Sequence, residues 1–376
     1  MAKPNKVEDT YKKKELREHI YTIPDMWIGG IEKDTLPMWV YNDEVDKITM
    51  NDITFVPGFY KLFDEALVNA RDHQVRDKTC NIIKVNVNKE EGMISVMNNG
   101  HGIPVVMHTK YNLWIPEFIF GELMTSSNYD QKGKTVGGKN GIGIKVVNIF
   151  SKKFIVETVC AKNRKKYIQE FRENMTIKDK PIITDAKKDE ESYTKIIYYP
   201  DFERFGMKGL STDIINLLKK RTFDVSACTR TNVKVFFNDK PVNVKKFEEY
   251  IKLHYEKEPK LVYEVINDRW KVGLVFNPDL GGNQVSLVNG IWTYKGGTHV
   301  DYVMKQIIKK VQEHIEKYNK GLKVKPLQIQ EHLDIFIDSV IEDPQFKSQT
   351  KEELVTKTTN FGSKCDIDNL FMKKLF

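Results

Sequence analysis

The sequence predicts a globular chain with both helices and strands, organised in more than one domain. Its 376 residues are enough for two or three domains of ordinary size. Apolar residues recur at helical spacing in some segments and alternate with polar residues in others, which indicates helices and strands respectively. The composition, 40% hydrophobic and 30% charged, is typical of globular proteins. No apolar run approaches the roughly 18 residues that span a bilayer, so we expect a soluble protein with no membrane partner.

The termini and the cysteines favour an intracellular protein. The N-terminal segment lacks the apolar core of a signal peptide, and the C-terminus carries no lipidation signal. The cysteines lie far apart in the sequence, which indicates reduced thiols rather than a zinc site. The net charge of +8 makes an anionic partner plausible without identifying it. The four cysteines are Cys80, Cys160, Cys228 and Cys365.

The N-terminal half begins with a charged arm and continues as a helix and a hairpin. Residues 7–21 contain too few apolar side chains to form a core of their own. From Pro57 onward, apolar residues repeat at helical spacing and predict a buried helix. Glu65, Asn69 and Arg76 line up along one edge of that helix. Alternating residues on both sides of a glycine-containing turn then predict a β-hairpin.

A glycine-rich segment follows a second predicted helix at residues 116–124. Residues 137–143 contain four glycines and precede an apolar helix, an order that suits backbone contacts to phosphate. A plain surface loop explains this segment equally well when it is taken alone. A Walker A loop is excluded because Ile144 follows Gly143, and Rossmann spacing fails because Val146 replaces the third glycine. Protein kinases are excluded by the lack of His-Arg-Asp and Asp-Phe-Gly motifs.

The rest of the chain is predicted to alternate strands and helices, with a domain boundary near residue 245. The pattern of alternating apolar residues supports several strands, and two amphipathic segments support helices. The predicted strands cover 154–159, 233–237, 274–276, 284–288 and 333–341, the helices 210–221 and 300–315, and a polar connection 182–191.

Four motifs occur in an order that fits one nucleotide-binding superfamily. A helical Glu and Asn come first, then an Asn-x-Gly-x-Gly turn after a strand, a Ser-Ser-Asn segment and the glycine loop. In this order they resemble the ATPase superfamily of gyrase, heat-shock chaperones, histidine kinases and mismatch-repair proteins. Their residues are more closely similar to eukaryotic-type (type IIA) DNA topoisomerase II, over nearly the whole chain. The segments that carry this resemblance are residues 63–70, 98–104, 125–129 and 137–143, with Pro24-Asp25-Met26-Trp27-Ile28-Gly29, residues 295–302 and Ser348-Gln349-Thr350-Lys351.

The resemblance implies an α+β fold that is divided into domains with different functions. A two-layer α/β sandwich with a mixed sheet, of the Bergerat ATPase type, would be followed by a smaller α/β transducer domain with a left-handed βαβ crossover. The implied regions are an N-terminal strap at 1–22, an ATP-binding domain at 23–245 and a transducer domain at 246–376. In the family the strap crosses to the partner subunit, where Tyr11 would contact the partner's nucleotide.

The resemblance also implies a function. Such a region binds and hydrolyses ATP and forms the gate of a homodimer, which closes on ATP while one DNA duplex passes through another. The implied partners are therefore a second copy of the chain and double-stranded DNA, contacted without sequence specificity. The DNA-cleavage core would not lie in this chain, and a nuclear location is expected.

Individual side chains receive roles from the same resemblance. Glu65 would orient and deprotonate the attacking water, while Asn69 would offer its oxygen to Mg²⁺. Asn98 would accept a hydrogen bond from the adenine amino group. Lys351 and Gln349, from the second domain, would act on the γ-phosphate. The other predicted nucleotide contacts are Arg76, Gly102, Ser126, Ser127, Asn128, Gly138, Lys139, Asn140, Gly141, Ile142, Gly143, Ile144, Lys145 and Thr350.

Two alternative functions fit parts of the sequence. An ATP-dependent protein clamp of the chaperone or mismatch-repair type would share the nucleotide site, but its second domain is not expected to carry Ser-Gln-Thr-Lys. A catalytically inactive, basic nucleic-acid-binding module is opposed by the presence of Glu65, Asn69 and Lys351. Basic clusters without interleaved aromatic residues predict sequence-independent contact with DNA or simple solvation. These clusters are Lys152-Lys153, Arg164-Lys165-Lys166 and Lys219-Lys220-Arg221.

Overall fold

Helices and two main β-sheets make up the fold of the computed structural model, which describes residues 13–125, 133, 135–138, 141–279 and 281–376. Over these residues the larger sheet has nine strands and the smaller five, beside two separate strand pairs. Both main sheets contain parallel and antiparallel neighbours. The predicted α+β class with a mixed sheet is therefore confirmed. Within the same ranges no helix is both long and apolar enough to cross a bilayer.

The described part of the charged arm docks on the chain itself. Helix α1 (Leu16–Thr22) places Ile20 in the main hydrophobic core, where it is 0% exposed. The ring of Tyr21 stacks on Phe150 with 5.6 Å between centroids. Residues 7–21 have too few apolar side chains for a core of their own, and these two instead pack against distant parts of the chain. A short helix, α2 (Asp25–Ile28), follows.

A long hairpin that was not predicted precedes the first long helix. Strands β1 (Asp34–Asn42) and β2 (Lys47–Phe55) pair antiparallel along their whole length. Their buried residues, such as Ile53 and Phe55, alternate with exposed polar ones. Pro37 and Asn51-Asp52 interrupt the apolar pattern, so these strands depend on tertiary packing rather than on local propensity.

The first long helix has the predicted position. Helix α3 (Pro57–Arg76) begins with proline in its first turn, where the missing N–H costs nothing. Its apolar stripe is buried, and the edge of the stripe carries Glu65 and Asn69. The predicted hairpin is also present as strands β3 (Ile82–Asn88) and β4 (Met93–Asn99).

The larger sheet completes the first half of the fold. The helix expected at 116–124 ends at Gly121, which packs against the ring of Phe171. The predicted polar connection at 182–191 begins with an edge strand. The helix expected at 210–221 starts after its N-cap residue Ser211 and continues to Ala227, since Val225 and Ala227 are also buried. These elements are β5 (Met107–His108), β6 (Leu113–Trp114), α4 (Ile115–Gly121), α5 (Gly143–Ile149), β7 (Ser151–Val159), β8 (Lys165–Arg172), β9 (Ile177–Lys178), β10 (Ile182–Asp185), β11 (Tyr193–Pro200), a 3₁₀ turn (Phe202–Phe205), α6 (Thr212–Ala227), β12 (Lys234–Phe237), β13 (Lys240–Pro241) and α7 (Phe247–Lys252).

The strand order places the predicted motifs at the centre of this sheet. The order is β10-β8-β7-β11-β4-β3-β12-β13, with β9 paired to β8. Strand β12 is parallel to β3, whereas β11, β4 and β3 are antiparallel to one another. The turn after β4 therefore lies between β3 and β11, beside helix α3.

The smaller sheet contains a strand-helix-strand crossover. Its order is β14-β15-β18-β16-β17, and the parallel strands β16 and β18 are connected through helix α8. The helix expected at 300–315 is present over Thr298–Tyr318, while the strand expected at 333–341 ends at Ser339. The elements are β14 (Leu261–Asn267), β15 (Trp270–Phe276), β16 (Gln284–Val288), β17 (Ile291–Trp292), α8 (Thr298–Tyr318), α9 (Pro326–Gln330), β18 (Leu333–Ser339), a 3₁₀ turn (Thr358–Asn360) and α10 (Asn369–Leu375).

The main hydrophobic cluster extends from the larger sheet to part of the smaller one, while other residues of the smaller sheet, such as Val272 and Ile337, belong to a second cluster. Residues of helix α7, such as Tyr250, belong to the same cluster as the stripe of α3 and as Leu287 and Phe336 of the smaller sheet. The domain boundary at residue 245 stays a prediction.

Buried charges also join the two parts of the chain. The side chain of Arg221, which is 0% exposed, donates from Nε to Oδ1 of Asp64 at 2.9 Å and from Nη2 to the carbonyl oxygen of Gly290. Nζ of Lys220 lies 3.1 Å from the centroid of the Trp292 ring. Lys220 and Arg221 are thus structural cations, and the suggestion that they contact DNA is wrong.

We expect Arg221→Met to lower the free energy of unfolding by about 3 kcal/mol, because it removes one of the two cations paired with the buried Asp64 and leaves the carbonyl oxygen of Gly290 without its donor. Urea denaturation measures the change. Lys165→Met is the matched control: its ion pair with Asp185 is exposed, at 43% and 84% of the two side chains, so the loss should be small. Equal losses in both variants would contradict a structural role for the buried pair.

Candidate active site

A cavity of about 430 Å³ opens between helix α3, the larger sheet and the glycine loop. Its lining combines apolar side chains, such as Ile103 and Phe118, with acidic, basic and amide groups. A lining of this mixed kind can accommodate a ligand with both apolar and charged parts. The predicted site residues that line it are Glu65, Asn69, Arg76, Asn98, Gly138, Gly141, Gly143, Ile144, Lys145 and Gln349.

Other predicted residues lie elsewhere or cannot be placed. Ile142 is buried in the main hydrophobic core. Gly102 has a left-handed backbone (φ 69°), and a Cβ atom there would lie 2.0 Å from the carbonyl oxygen of Val159. Thr350 packs against Gly29. Tyr11, Ser126, Ser127, Asn128, Lys139 and Asn140 lie outside the described residues.

Lys351 brings a positive charge from the second half of the chain to Glu65. Its Nζ lies 3.1 Å from Oε1 of Glu65 and 3.3 Å from the carbonyl oxygen of Gly137. Both charged side chains are buried. Lys351 has a φ of 61°, which is uncommon for a residue with a long side chain and typical of positions under functional constraint.

A second lysine, not predicted, holds the same carboxylate. Nζ of Lys61 lies 2.7 Å from Oε1 of Glu65 and 3.1 Å from Oδ2 of Asp64. Burial favours the neutral form of Glu65, but Lys351 and Lys61 outweigh it and lower the pKa of the carboxyl group. Glu65 is therefore ionised. The sequence feature that could have indicated Lys61 is its position one helical turn before Glu65.

Gly143 is required by the space that Glu65 occupies. A Cβ atom at Gly143 would lie 1.9 Å from Oε2 of Glu65 and 2.7 Å from its Cδ. Gly143 is the first residue of α5, and its φ is not in the left-handed region. The glycine therefore serves close approach of the carboxylate rather than an unusual backbone conformation.

We expect Gly143→Ala to lower ATP turnover by at least about 10-fold, because the new methyl group displaces the Glu65 carboxylate from its position. Steady-state phosphate release measures this effect. Gly30→Ala is the control, since a Cβ atom there meets nothing within 4 Å. Unchanged turnover in Gly143→Ala would mean that the observed position of Glu65 is not the reactive one.

The glycine loop is tied to helix α3 through Asp72, which sequence reasoning missed. The backbone N–H of Gly138 donates to Oδ2 of Asp72 at 3.0 Å. A Cβ atom at Gly138 would lie 3.7 Å from Oδ1 of Asn69 as well as from Asp72. Asp72 is one turn beyond Asn69, but nothing in the local sequence indicates that it would contact the loop.

The side-chain oxygen of Asn69 suits a Mg²⁺ ion that takes its other ligands from phosphate groups and water. Among the described residues, no group of three or more His, Cys, Asp or Glu side chains could hold a metal ion by itself. Mg²⁺ usually takes one or two protein oxygens and completes its shell with phosphate oxygens and water. Asn69 lines the cavity and supplies one such oxygen.

Lys145 connects Thr125, which precedes the glycine loop, with Gly141, which lies within it. Its Nζ donates to the carbonyl oxygens of Thr125 at 2.7 Å and Gly141 at 2.6 Å. Burial lowers the pKa of this ammonium group to about 8. Lys145 thus places a buried cation at the cavity wall.

The end of β4 borders the cavity through Asn98, and a turn follows it. Nδ2 of Asn98 donates to the carbonyl oxygen of Asn99 at 3.1 Å, so the side-chain oxygen is the group that can accept from a ligand. Asp77, which was not predicted, fixes this turn: its Oδ2 accepts from the backbone N–H of His101 at 2.8 Å. Burial opposes ionisation of Asp77, but hydrogen bonds from Thr79 and His101 lower its pKa.

Comparison with known proteins places this geometry in a family. Residues 56–194 match the family described as histidine kinase-, DNA gyrase B-, and HSP90-like ATPase, and residues 229–375 match the DNA gyrase B family. The ATPase region of Saccharomyces cerevisiae topoisomerase II has a similar crystal structure, with a TM-score of 0.92 and 43% identity over 98% of this chain and 96% of that one. The chain belongs to the family of type II DNA topoisomerase ATPase regions. The family resemblance of the sequence is thereby confirmed.

Other members of the family agree. The ATPase and transducer domains of DNA topoisomerase II from Balamuthia mandrillaris give a TM-score of 0.93 at 39% identity, over 99% of this chain and 95% of that one. DNA topoisomerase 2 of Acanthamoeba polyphaga mimivirus is 45% identical over 98% of this chain, and that of Saccharomyces cerevisiae is 42% identical over 100%. The chain covers 30% and 27% of these two relatives. It thus corresponds to the ATPase region of a much longer type of protein.

Proposed function

We propose that the chain binds ATP in the cavity beside α3 and hydrolyses it with Glu65 as general base. The observation that carries this proposal is the contact of Lys351 with Glu65, since it joins an ionised carboxylate to a cation from the second half of the chain. A carboxylate that lines the cavity, with an ammonium group 3.1 Å from it, suits attack of water on a phosphoryl group.

Each side chain has a defined task in this reaction. Glu65 takes a proton from the water as the water oxygen bonds to the γ-phosphorus. The bond between that phosphorus and the bridging oxygen breaks, and ADP keeps the electron pair. Lys351 stabilises charge on the phosphoryl oxygens. Asn69 would hold Mg²⁺, which when bound neutralises phosphate charge.

Phosphate release by the purified chain tests this function. We expect hydrolysis of ATP, its loss when EDTA removes Mg²⁺, and little hydrolysis of GTP. The base preference follows because the oxygen of Asn98 can accept from the amino group of adenine, whereas guanine presents a carbonyl there. A chain that binds no nucleotide and hydrolyses none would support the inactive nucleic-acid-binding alternative instead.

We propose further that ATP closes a homodimer that serves as a gate for double-stranded DNA. The names of the relatives, DNA topoisomerase 2, support DNA as the partner. Stimulation of hydrolysis by duplex DNA, and not by an unfolded protein, separates this gate from a protein clamp. A nuclear location follows from the same proposal and can be checked by imaging the tagged full-length protein.

We expect removal of residues 1–12 to abolish dimer formation in the presence of a non-hydrolysable ATP analogue. The part of the strap that precedes α1 carries Tyr11, which in this proposal contacts the partner's nucleotide. ATP favours the dimer because it binds that state preferentially. Sedimentation velocity compares the truncated and intact chains. Helix α1 is kept in both, because Ile20 is part of the core. A truncated chain that dimerises like the intact one contradicts strap exchange.

A further inference from the structure

We infer that Lys61 is a positioning residue for the proposed ATPase reaction: it anchors Oε1 of Glu65, so that Oε2 is the atom that takes the proton from water. The inference rests on the proposed role of Glu65 as general base. It concerns a residue for which neither the motifs nor the comparisons indicated a role.

The two carboxylate oxygens of Glu65 have different surroundings. Oε1 faces two ammonium groups, with Lys61 at 2.7 Å and Lys351 at 3.1 Å. Oε2 points to the start of α5, at the place where a side chain on Gly143 would collide with it. An oxygen held by two cations is a poor proton acceptor, so the chemistry favours Oε2.

The two lysines differ in how firmly they are tied to Glu65. Lys61 stands one turn before Glu65 on the same helix, so α3 itself keeps the two side chains within reach of each other. Lys351 follows the smaller sheet along the chain and also contacts the backbone of the glycine loop. Its contact with Glu65 therefore depends on how the two parts of the chain are arranged. In the proposed reaction Lys351 also serves the phosphate, which leaves Lys61 as the constant partner of the base.

The surroundings of Lys61 fix its position. The residue is 2% exposed, and its ammonium group lies between Glu65 and Asp64. Asp64 is held in turn by Arg221, from helix α6. Because a buried ammonium group is costly unless it is paired, these contacts keep Lys61 charged and oriented.

The proton balance of the step is simple. Water gives one proton to Oε2 of Glu65 while its oxygen forms the bond to phosphorus, and the bond to the ADP oxygen breaks with both electrons on ADP. Lys61 neither gives nor receives a proton and keeps its contact with Oε1. Glu65 then returns its proton to solvent.

Kinetics of Lys61→Met and Lys61→Arg test the inference. We expect Lys61→Met to lower kcat about 100-fold while the affinity for a non-hydrolysable analogue stays within about 3-fold, since only the base is misplaced. Lys61→Arg keeps a cation beside Oε1 and should recover at least about 10-fold of that loss. The matched control is Lys271→Met, which removes a lysine at the same 2.7 Å distance from a carboxylate, that of Asp338, away from the cavity.

The outcomes separate this inference from the proposed function. If Glu65→Gln abolishes hydrolysis but Lys61→Met leaves kcat unchanged, only the role of Lys61 is wrong. If Glu65→Gln retains turnover, the proposed function itself fails. Loss of kcat in Lys61→Met with no recovery in Lys61→Arg indicates a structural role and overturns the inference.

A crystal structure of the wild-type chain with a non-hydrolysable ATP analogue gives a test that needs no variant. We expect Nζ of Lys61 within hydrogen-bond distance of Oε1 and Oε2 facing the γ-phosphate. Separation of Lys61 from Glu65 in that complex would overturn the inference, even if Lys61→Met did not fold.

Discussion

Glu65→Gln is expected to lower ATP turnover by about 10²- to 10⁴-fold while ATP binding is retained. The amide keeps the size of the side chain and one oxygen for Lys61, but it cannot accept a proton at neutral pH. Because the carboxylate lies against Gly143, a side chain of the same shape is needed for the experiment. Phosphate release measures turnover, and equilibrium titration with a fluorescent ATP analogue measures binding.

The control for this experiment is a second Glu→Gln substitution that also breaks an ion pair with a lysine. Glu157→Gln does so, since Glu157 is paired with Lys166 at 3.0 Å on strand β7. Its turnover should match that of the wild type. Near-normal turnover of Glu65→Gln would remove Glu65 as the base, whereas loss of nucleotide binding would make its role structural.

Lys351→Ala is expected to lower the rate of the chemical step by about 100-fold, with much less effect on ADP affinity. The ammonium group of Lys351 is buried at Glu65, where in our proposal the γ-phosphoryl group reacts. Removal of a charge aimed at the transition state lowers kcat more than it weakens ground-state binding. Single-turnover hydrolysis isolates the chemical step, and ADP affinity is measured by calorimetry.

The neighbouring lysine of the same loop provides the control. Lys347 pairs with Glu353 at 2.8 Å and its side chain is 65% exposed, so Lys347→Ala should leave the single-turnover rate unchanged. A large loss of ADP affinity in Lys351→Ala would place this lysine at another part of the nucleotide. Equal rates for Lys351→Ala and the wild type would remove its catalytic role.

Much of the fold was predictable because several segments carry strong local signals. The apolar stripe of α3 and the alternation of β3 and β4 specify their own conformation, and both were predicted correctly. Hairpin β1–β2 was missed because its apolar pattern is interrupted by polar residues. Helix α1 was not predicted, because residues 7–21 were interpreted as a charged arm without a core of its own, whereas Ile20 fills a position in a core built by distant residues.

The site residues also divide into those with a local sequence signal and those that depend on distant parts of the chain. Glu65 and Asn69 could be proposed because their spacing on one helix has a chemical meaning. Asp72 and Asp77 could not, because each acts by holding the backbone of a distant loop. The ammonium of Lys351 meets Glu65 across 286 positions of sequence. Only the family resemblance, and no local pattern, indicated that these two residues belong together.

Sedimentation velocity of Glu65→Gln with ATP, with ADP and without nucleotide tests the central claim most directly. If the chain is an ATP-operated gate with Glu65 as its base, this variant binds ATP without consuming it, and ATP itself should hold it as a dimer. We expect dimer with ATP and monomer with ADP or without nucleotide. A variant that binds ATP and yet remains monomeric in all three conditions would contradict the account.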